Sequence, residues 1–156
     1  MTKNNPKSNK EIDSIDIILE QYKIYIESTD RFSGYRSQSN LLFVSINSAL
    51  ISLLAAVLEF TSKPSVSWWM LFSCLTGILL NITWFFLVRA YRTLNSGRFK
   101  VIEQIEQKLP MQLYKMEWSI LTQDKSNHIR LSQIEQSMPI LFGLLYFFLG
   151  ITLALF

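Results

Sequence analysis

The chain has 156 residues, 49% of them hydrophobic, with 15 Lys and Arg against 12 Asp and Glu and a formal net charge of +3. That length suits about one domain, and so modest a charge is not the footprint of a nucleic-acid binder. A single cysteine, Cys74, excludes a disulfide framework or a Cys-based metal site within one chain, and a lone histidine, His128, weighs against a metal centre.

Residues 1–10 are polar, contain a proline and lack an apolar anchor, which predicts a disordered tail. Residues 11–38 read as an amphipathic helix. Ile12, Ile15, Leu19, Tyr22 and Ile26 follow one another at helical spacing and form one stripe, while Glu11, Asp13, Asp16, Glu20, Lys23 and Glu27 fall largely off it. Such a stripe needs an apolar partner. Its acidic flanks favour protein over an anionic membrane surface, where Lys/Arg-rich helices lie.

Residues 39–60 form the first of three nearly uncharged runs, and the others are 68–88 and 138–156. Each is about 20 residues, the length at which a helix crosses a hydrocarbon core. The bland alternative is three helices buried in a soluble core. It fails because too little amphipathic chain remains to cover them. The short stretch 61–67 carries only Lys63 among basic residues, whereas basic residues crowd the segment before residue 39 and the segment 89–137. The positive-inside rule then places the N terminus and 89–137 in the cytoplasm, and 61–67 and the C terminus outside. Trp68 and Trp69 mark the outer interface, and Trp84, Phe85 and Phe86 lie toward the inner one.

The second span does not read as ending at the membrane. Leu87, Tyr91, Leu94, Val101, Ile102, Ile105 and Leu109 keep a helical spacing up to Pro110, with Gly97 the one interruption. Residues 111–121 read as another helix, Thr122–Asn127 as a loop, and 128–136 as a short helix. Ser137 is the expected N-cap of the third span, with Pro139 in its first turn. The fold class is therefore all-α: three transmembrane helices and a cytoplasmic helical module made of the N-terminal helix, the stalk and a short hairpin.

Within the spans, Ser48, Ser52 and Ala56 form a small-residue face, and Gly143, Gly150 and Ala154 another, both suited to close helix packing. Asn47 and Asn81 must find polar partners in hydrocarbon. An interhelical hydrogen bond is the plain reading, and a polar constriction lining a conducting path is the functional one. No acid, base or histidine lies deep in any span, which argues against a proton relay or voltage sensor. No nucleophile motif or phosphate-binding glycine loop appears, and Glu103, Glu106 and Glu117 read as a solvated face. The chain is not expected to be an enzyme or to hold a cofactor.

Two blocks carry a family resemblance. Glu20-Gln-Tyr-Lys-Ile-Tyr-Ile-Glu with Asp30-Arg-Phe-Ser, Arg36 and Asn40 is the first. Arg89-Ala-Tyr-Arg-Thr-Leu-Asn-Ser-Gly-Arg-Phe-Lys-Val-Ile with Ile105-Glu, Leu109-Pro and Glu117-Trp118 is the second. Together they resemble the RipA-type small bacterial membrane proteins. The resemblance implies a bacterial cytoplasmic-membrane protein assembling as a homo-oligomer, an octamer, without a known catalytic motif.

The expected contact residues of the cytoplasmic module are Tyr22, Tyr91, Leu94, Phe99, Ile102, Leu109 and Trp118. Arg89, Arg92, Arg98 and Lys100 mark the inner interface or contact anionic lipid headgroups or a small anionic ligand. The expected role is an interaction or sensing platform, with its protein or small-molecule trigger unspecified. A gated pore, including a membrane-damaging effector of bacterial immunity, and a lipid or envelope-maintenance accessory are the competing readings.

Overall fold

The computed structural model describes the backbone of residues 6–60, 68–123 and 131–155, and the side chains of residues 14–60, 68–120 and 133–155. The described residues form four helices and no strand: α1 (Pro6–Phe60), α2 (Trp68–Glu106), α3 (Leu113–Gln123) and α4 (Leu131–Leu155). Three of them, α1, α2 and α4, are long and apolar enough to cross a membrane. Residues 1–5 of the expected tail, the expected outer loop 61–67, most of the expected loop 122–127 and His128 lie outside the described residues.

α1 is one uninterrupted helix. It starts at Pro6, inside the stretch expected to be a tail; proline suits a first helical position because its missing N–H would have no intrahelical partner there. No further proline occurs before Phe60, so nothing separates the amphipathic part from the apolar part. α2 likewise runs past its apolar segment. Its end is tightened by short-range bonds from the Lys108 amide to the Ile105 carbonyl and from the Leu109 amide to the Glu106 carbonyl, both 3.0 Å. Pro110 then bars continuation.

The third span departs from expectation. Ser137 is not a cap, because α4 begins at Leu131 and runs through both Ser137 and Pro139. The Ser137 hydroxyl instead donates back to the Ile134 carbonyl at 2.7 Å. Pro139 is fully buried, and membrane-spanning helices tolerate proline where neighbouring helices pack over it.

The chain divides into two compact units. Unit 1 comprises Met1–Gly34 and Thr93–His128, and unit 2 comprises Tyr35–Arg92 and Ile129–Phe156.

Unit 2 packs the apolar parts of α1, α2 and α4. Its core is Leu54, Cys74 and Tyr146, surrounded by Leu50, Ile51, Ile78, Leu149 and Leu153. Gly77 makes room for the Tyr146 ring: a Cβ there would lie 2.6 Å from ring carbons, closer than real contacts allow. Gly143 and Gly150 face Asn81 and Cys74 at ordinary contact distance, so that small-residue face packs within the subunit. Ser48 and Ser52 are exposed.

Unit 1 packs the N-terminal part of α1 against the last turns of α2 and against α3. Ile102 and Glu106 of α2 are fully buried there, and Thr29 of α1 nearly so. The expected stripe on α1 is used in part: Ile15, Tyr22 and Ile26 are half-buried, Leu19 is exposed, and the Ile12 side chain lies outside the described residues; Ile17 and Ile24, off the stripe, are exposed on the opposite face.

Candidate functional site

Unit 1 is organised around Glu106. A carboxylate in the last turn of a helix opposes the negative end of that helix's dipole. Glu106 is compensated by α3, whose positive N-terminal end begins seven residues later in the sequence. Its Oε1 accepts the Tyr114 amide at 2.9 Å, and its Oε2 accepts the Lys115 amide at 3.4 Å. The Tyr22 hydroxyl donates to Oε1 at 2.9 Å. One side chain thus caps α3 and fastens both α3 and α1 to α2. The expectation that Glu106 belongs to a solvated face is overturned, because its side chain is fully buried and takes three donors; Glu103, one turn earlier, is exposed.

The same surroundings act on the tyrosines. Burial, then the hydrogen bond and charge of Glu106, push the Tyr22 phenol well above its ordinary value of 10.0. Burial, followed by the charges of Asp30, Glu117 and Glu106, raises Tyr114 as well.

Arg98 provides a second fastening. Its guanidinium donates to the Ser28 carbonyl at 3.1 Å and to the Ser28 hydroxyl at 3.3 Å, and lies 4.2 Å from the Phe32 ring centroid. Sequence reasoning grouped Arg98 with Arg89, Arg92 and Lys100 as a lipid or ligand contact, but Arg98 is engaged with α1 inside unit 1. Arg89, Arg92 and Lys100 are exposed. Arg92 reaches Gln136 at 3.4 Å within unit 2.

Beside Glu106 lies an open cleft of about 500 Å³ between α2 and α3, walled by Phe99, Tyr114 and Trp118 and edged by Ser96, Lys100, Glu103, Lys115 and Glu117. The Phe99 and Tyr114 rings stand 5.8 Å apart. Trp118 is 66% exposed and Phe99 44%. Of the other expected contact residues, Ile102 is buried and Leu109 half-buried. Leu94 is exposed. Tyr91 belongs to unit 2, where its hydroxyl lies 3.3 Å from that of Ser39.

The polar groups of unit 2 are joined inside one subunit. Asn81 Nδ2 donates to Asn47 Oδ1 and to the Gly77 carbonyl, both at 2.8 Å. Asn47 Nδ2 donates to the Phe43 carbonyl, also at 2.8 Å. The Tyr146 hydroxyl donates to the Asn47 carbonyl at 3.3 Å, so α4 joins the pair. Asn47 is 0% exposed and Asn81 2%, and Asn81 Oδ1 is buried without a hydrogen-bond partner among the described residues. Toward the other end of unit 2, Trp84 Nε1 donates to Asn40 Oδ1 at 3.0 Å, while its ring stacks on Phe43 with centroids 5.4 Å apart. Arg36 pairs with Glu135 at 3.6 Å, both largely covered.

Residues 19–156 match the octameric membrane protein family (8xMP). The chain belongs to that family. It is a homo-oligomeric, multi-pass membrane protein, and the resemblance carried by the blocks around Tyr22 and Arg89–Ile102 points to this same family. No curated protein and no solved structure matches this family member significantly. Of the organising residues, the sequence placed Glu106 on a solvated face and Arg98 among lipid or ligand contacts, Asn40 entered only with the family resemblance, and Gly77 was not singled out. Only Glu106 carried a local signal: an acid at a helix C-terminus, just before Leu109-Pro110, needs a compensating partner.

Proposed function

We propose that this 8xMP family member is a non-enzymatic protein of the bacterial cytoplasmic membrane whose unit 1 is a cytoplasmic interaction or sensing platform. The charge asymmetry supports the orientation: Lys23, Arg31, Arg98, Lys100, Lys108 and Lys115 all belong to unit 1, while the 61–67 stretch has Lys63 alone.

One observation carries the platform reading. Leu113, Met116 and Ile120, spaced three and four residues apart on α3, are 56%, 51% and 66% exposed. Spacing of this kind makes a single apolar ridge. An apolar ridge on a unit that faces water is the mark of a protein contact rather than of a finished soluble surface.

A photo-activatable amino acid at Met116 or Ile120, introduced in cells, tests the reading. Protein adducts are expected at both positions, with lipid adducts at the apolar Leu144 of α4 as the control. Ridge positions that give lipid adducts, or none, would refute the platform.

A further inference from the structure

α3 is fastened to the rest of unit 1 near one end. Of its described side chains, Tyr114 alone is half-buried, while Leu113 and every residue from Lys115 to Ile120 are exposed. The Tyr114 ring meets Phe99 of α2. The two amides that Glu106 takes, those of Tyr114 and Lys115, lie in the first turn of the helix. Alongside α3, the cleft of about 500 Å³ lies open toward α2.

The backbone also keeps α3 separate from α2. α2 closes at Lys108 and Leu109, and Pro110 bars its continuation. The Met116 amide then donates to the Gln112 carbonyl at 3.0 Å, which starts the ladder of α3. Among the described residues of this stretch, no backbone hydrogen bond joins the two ladders. α1 and α2 have ties of their own that involve no residue of α3: Arg98 holds the Ser28 carbonyl and the Phe32 ring.

An isolated helix shorter than about 12–15 residues is marginal in water, and α3 has 11. Amides in a first turn have no acceptor within their own helix. The Glu106 carboxylate supplies one for two of them and places its charge at the positive end of the helix.

We infer that α3 is a latched arm: it opens from unit 1 as an element of its own, with Glu106 as the latch, while α1 and α2 stay paired. On opening, the carboxylate exchanges the Tyr114 and Lys115 amides for water and keeps the Tyr22 hydroxyl, and the Tyr114 ring leaves Phe99. So few contacts are given up that opening is local rather than global. The arm carries the Leu113, Met116 and Ile120 ridge, and the latch sets how firmly that ridge is presented. How α3 is held is a separate matter from what the ridge contacts.

Hydrogen exchange of the full-length protein in detergent, read by mass spectrometry and corrected for intrinsic rates, tests the latch. In the unsubstituted protein the α3 amides are expected to exchange ~10-fold or more faster than those of residues 93–106 in α2. Glu106→Gln turns one oxygen into an N–H donor facing an amide. It is expected to speed α3 exchange several-fold further while leaving residues 93–105 unchanged. Glu103→Gln, at the exposed carboxylate one turn away, is expected to change neither.

Equal protection of α3 and residues 93–106 in the unsubstituted protein would overturn the inference without recourse to any variant, since α3 would then open only with the rest of unit 1. Glu106→Gln would overturn it by leaving α3 exchange unchanged, or by stripping protection from residues 93–105 together with α3. None of these results touches the platform reading, which the adducts at Met116 and Ile120 decide.

Discussion

The Tyr22 hydroxyl donates to the Glu106 carboxylate at 2.9 Å, joining residues 84 positions apart in the chain. The bond closes unit 1, because the same carboxylate also takes the first amides of α3. Removing either partner therefore has unequal consequences.

Glu106→Ala orphans the half-buried Tyr22 hydroxyl and two amides at once. We predict a loss of ~1–3 kcal/mol, the scale of leaving a buried donor unsatisfied. Tyr22→Phe removes one donor while the carboxylate keeps its two amides, and is predicted to cost about 1 kcal/mol. Glu106→Gln keeps an acceptor and should fall between them. Hydrogen exchange of the α3 amides in detergent ranks the three, and equal protection in all of them would contradict the capping role.

The raised Tyr22 phenol predicts a dependence on alkaline pH. A folded-state value above the unfolded one means that the unfolded chain loses its proton first, so the folded state binds more protons and stability falls as pH rises. The contribution is whole below about 10, the unfolded value, and is lost progressively above it. Tyr114 adds to the trend with the same sign. Tyr22→Phe should flatten the alkaline limb of unit 1 melting followed by exchange at α3. An unchanged limb in that variant would assign the trend elsewhere.

Gly77 and Gly97 should respond in opposite directions to the same substitution. Gly77→Ala drives a methyl into the rigid Tyr146 ring, and overpacking of this kind costs ~1–3 kcal/mol. A Cβ at Gly97, like one at Gly34, meets nothing within 4 Å. Both sit inside helices, so alanine there is predicted to stabilise by about 0.5–1 kcal/mol. Thermal unfolding in detergent measures all three, and a stabilising Gly77→Ala would refute the packing.

Asn47 and Asn81 form a contact suited to a double-mutant cycle. With leucine at each position singly and together, we predict a coupling of about 0.6 kcal/mol, with ~1.7 kcal/mol as the upper bound seen for hydrogen bonds between membrane helices. A coupling of zero in a folded double variant would mean that the two amides do not bond within the subunit.

The resemblance blocks illustrate what was legible and what was not. Tyr22, Glu106 and Trp118 all lay within reach of sequence reasoning, yet only their helical settings could be read. Tyr22 sat on a stripe that demanded a partner, and unit 1 supplied one in Glu106. Glu106 looked like its exposed neighbour Glu103: its place just before Leu109-Pro110 marks an acid at a helix end, but not whether the carboxylate faces water or the start of a helix seven residues on. Ser137 looked like a cap, because a hydroxyl before a proline has the same sequence signature whether a helix begins there or passes through.

By itself, the sequence determined the three spans, the continuation of α2 beyond its apolar run and the stop near Pro110. Each of these follows from properties that add up along a short stretch of chain: transfer of uncharged side chains out of water, helical spacing and the missing proline amide. Tertiary structure alone decided that Glu106 holds Tyr22 and α3, that Asn81 meets Asn47, that Gly77 yields to Tyr146, and that Ile17 and Ile24 remain uncovered. Those facts depend on how each helix is rotated about its axis against the others, a degree of freedom set by packing between residues far apart in the chain.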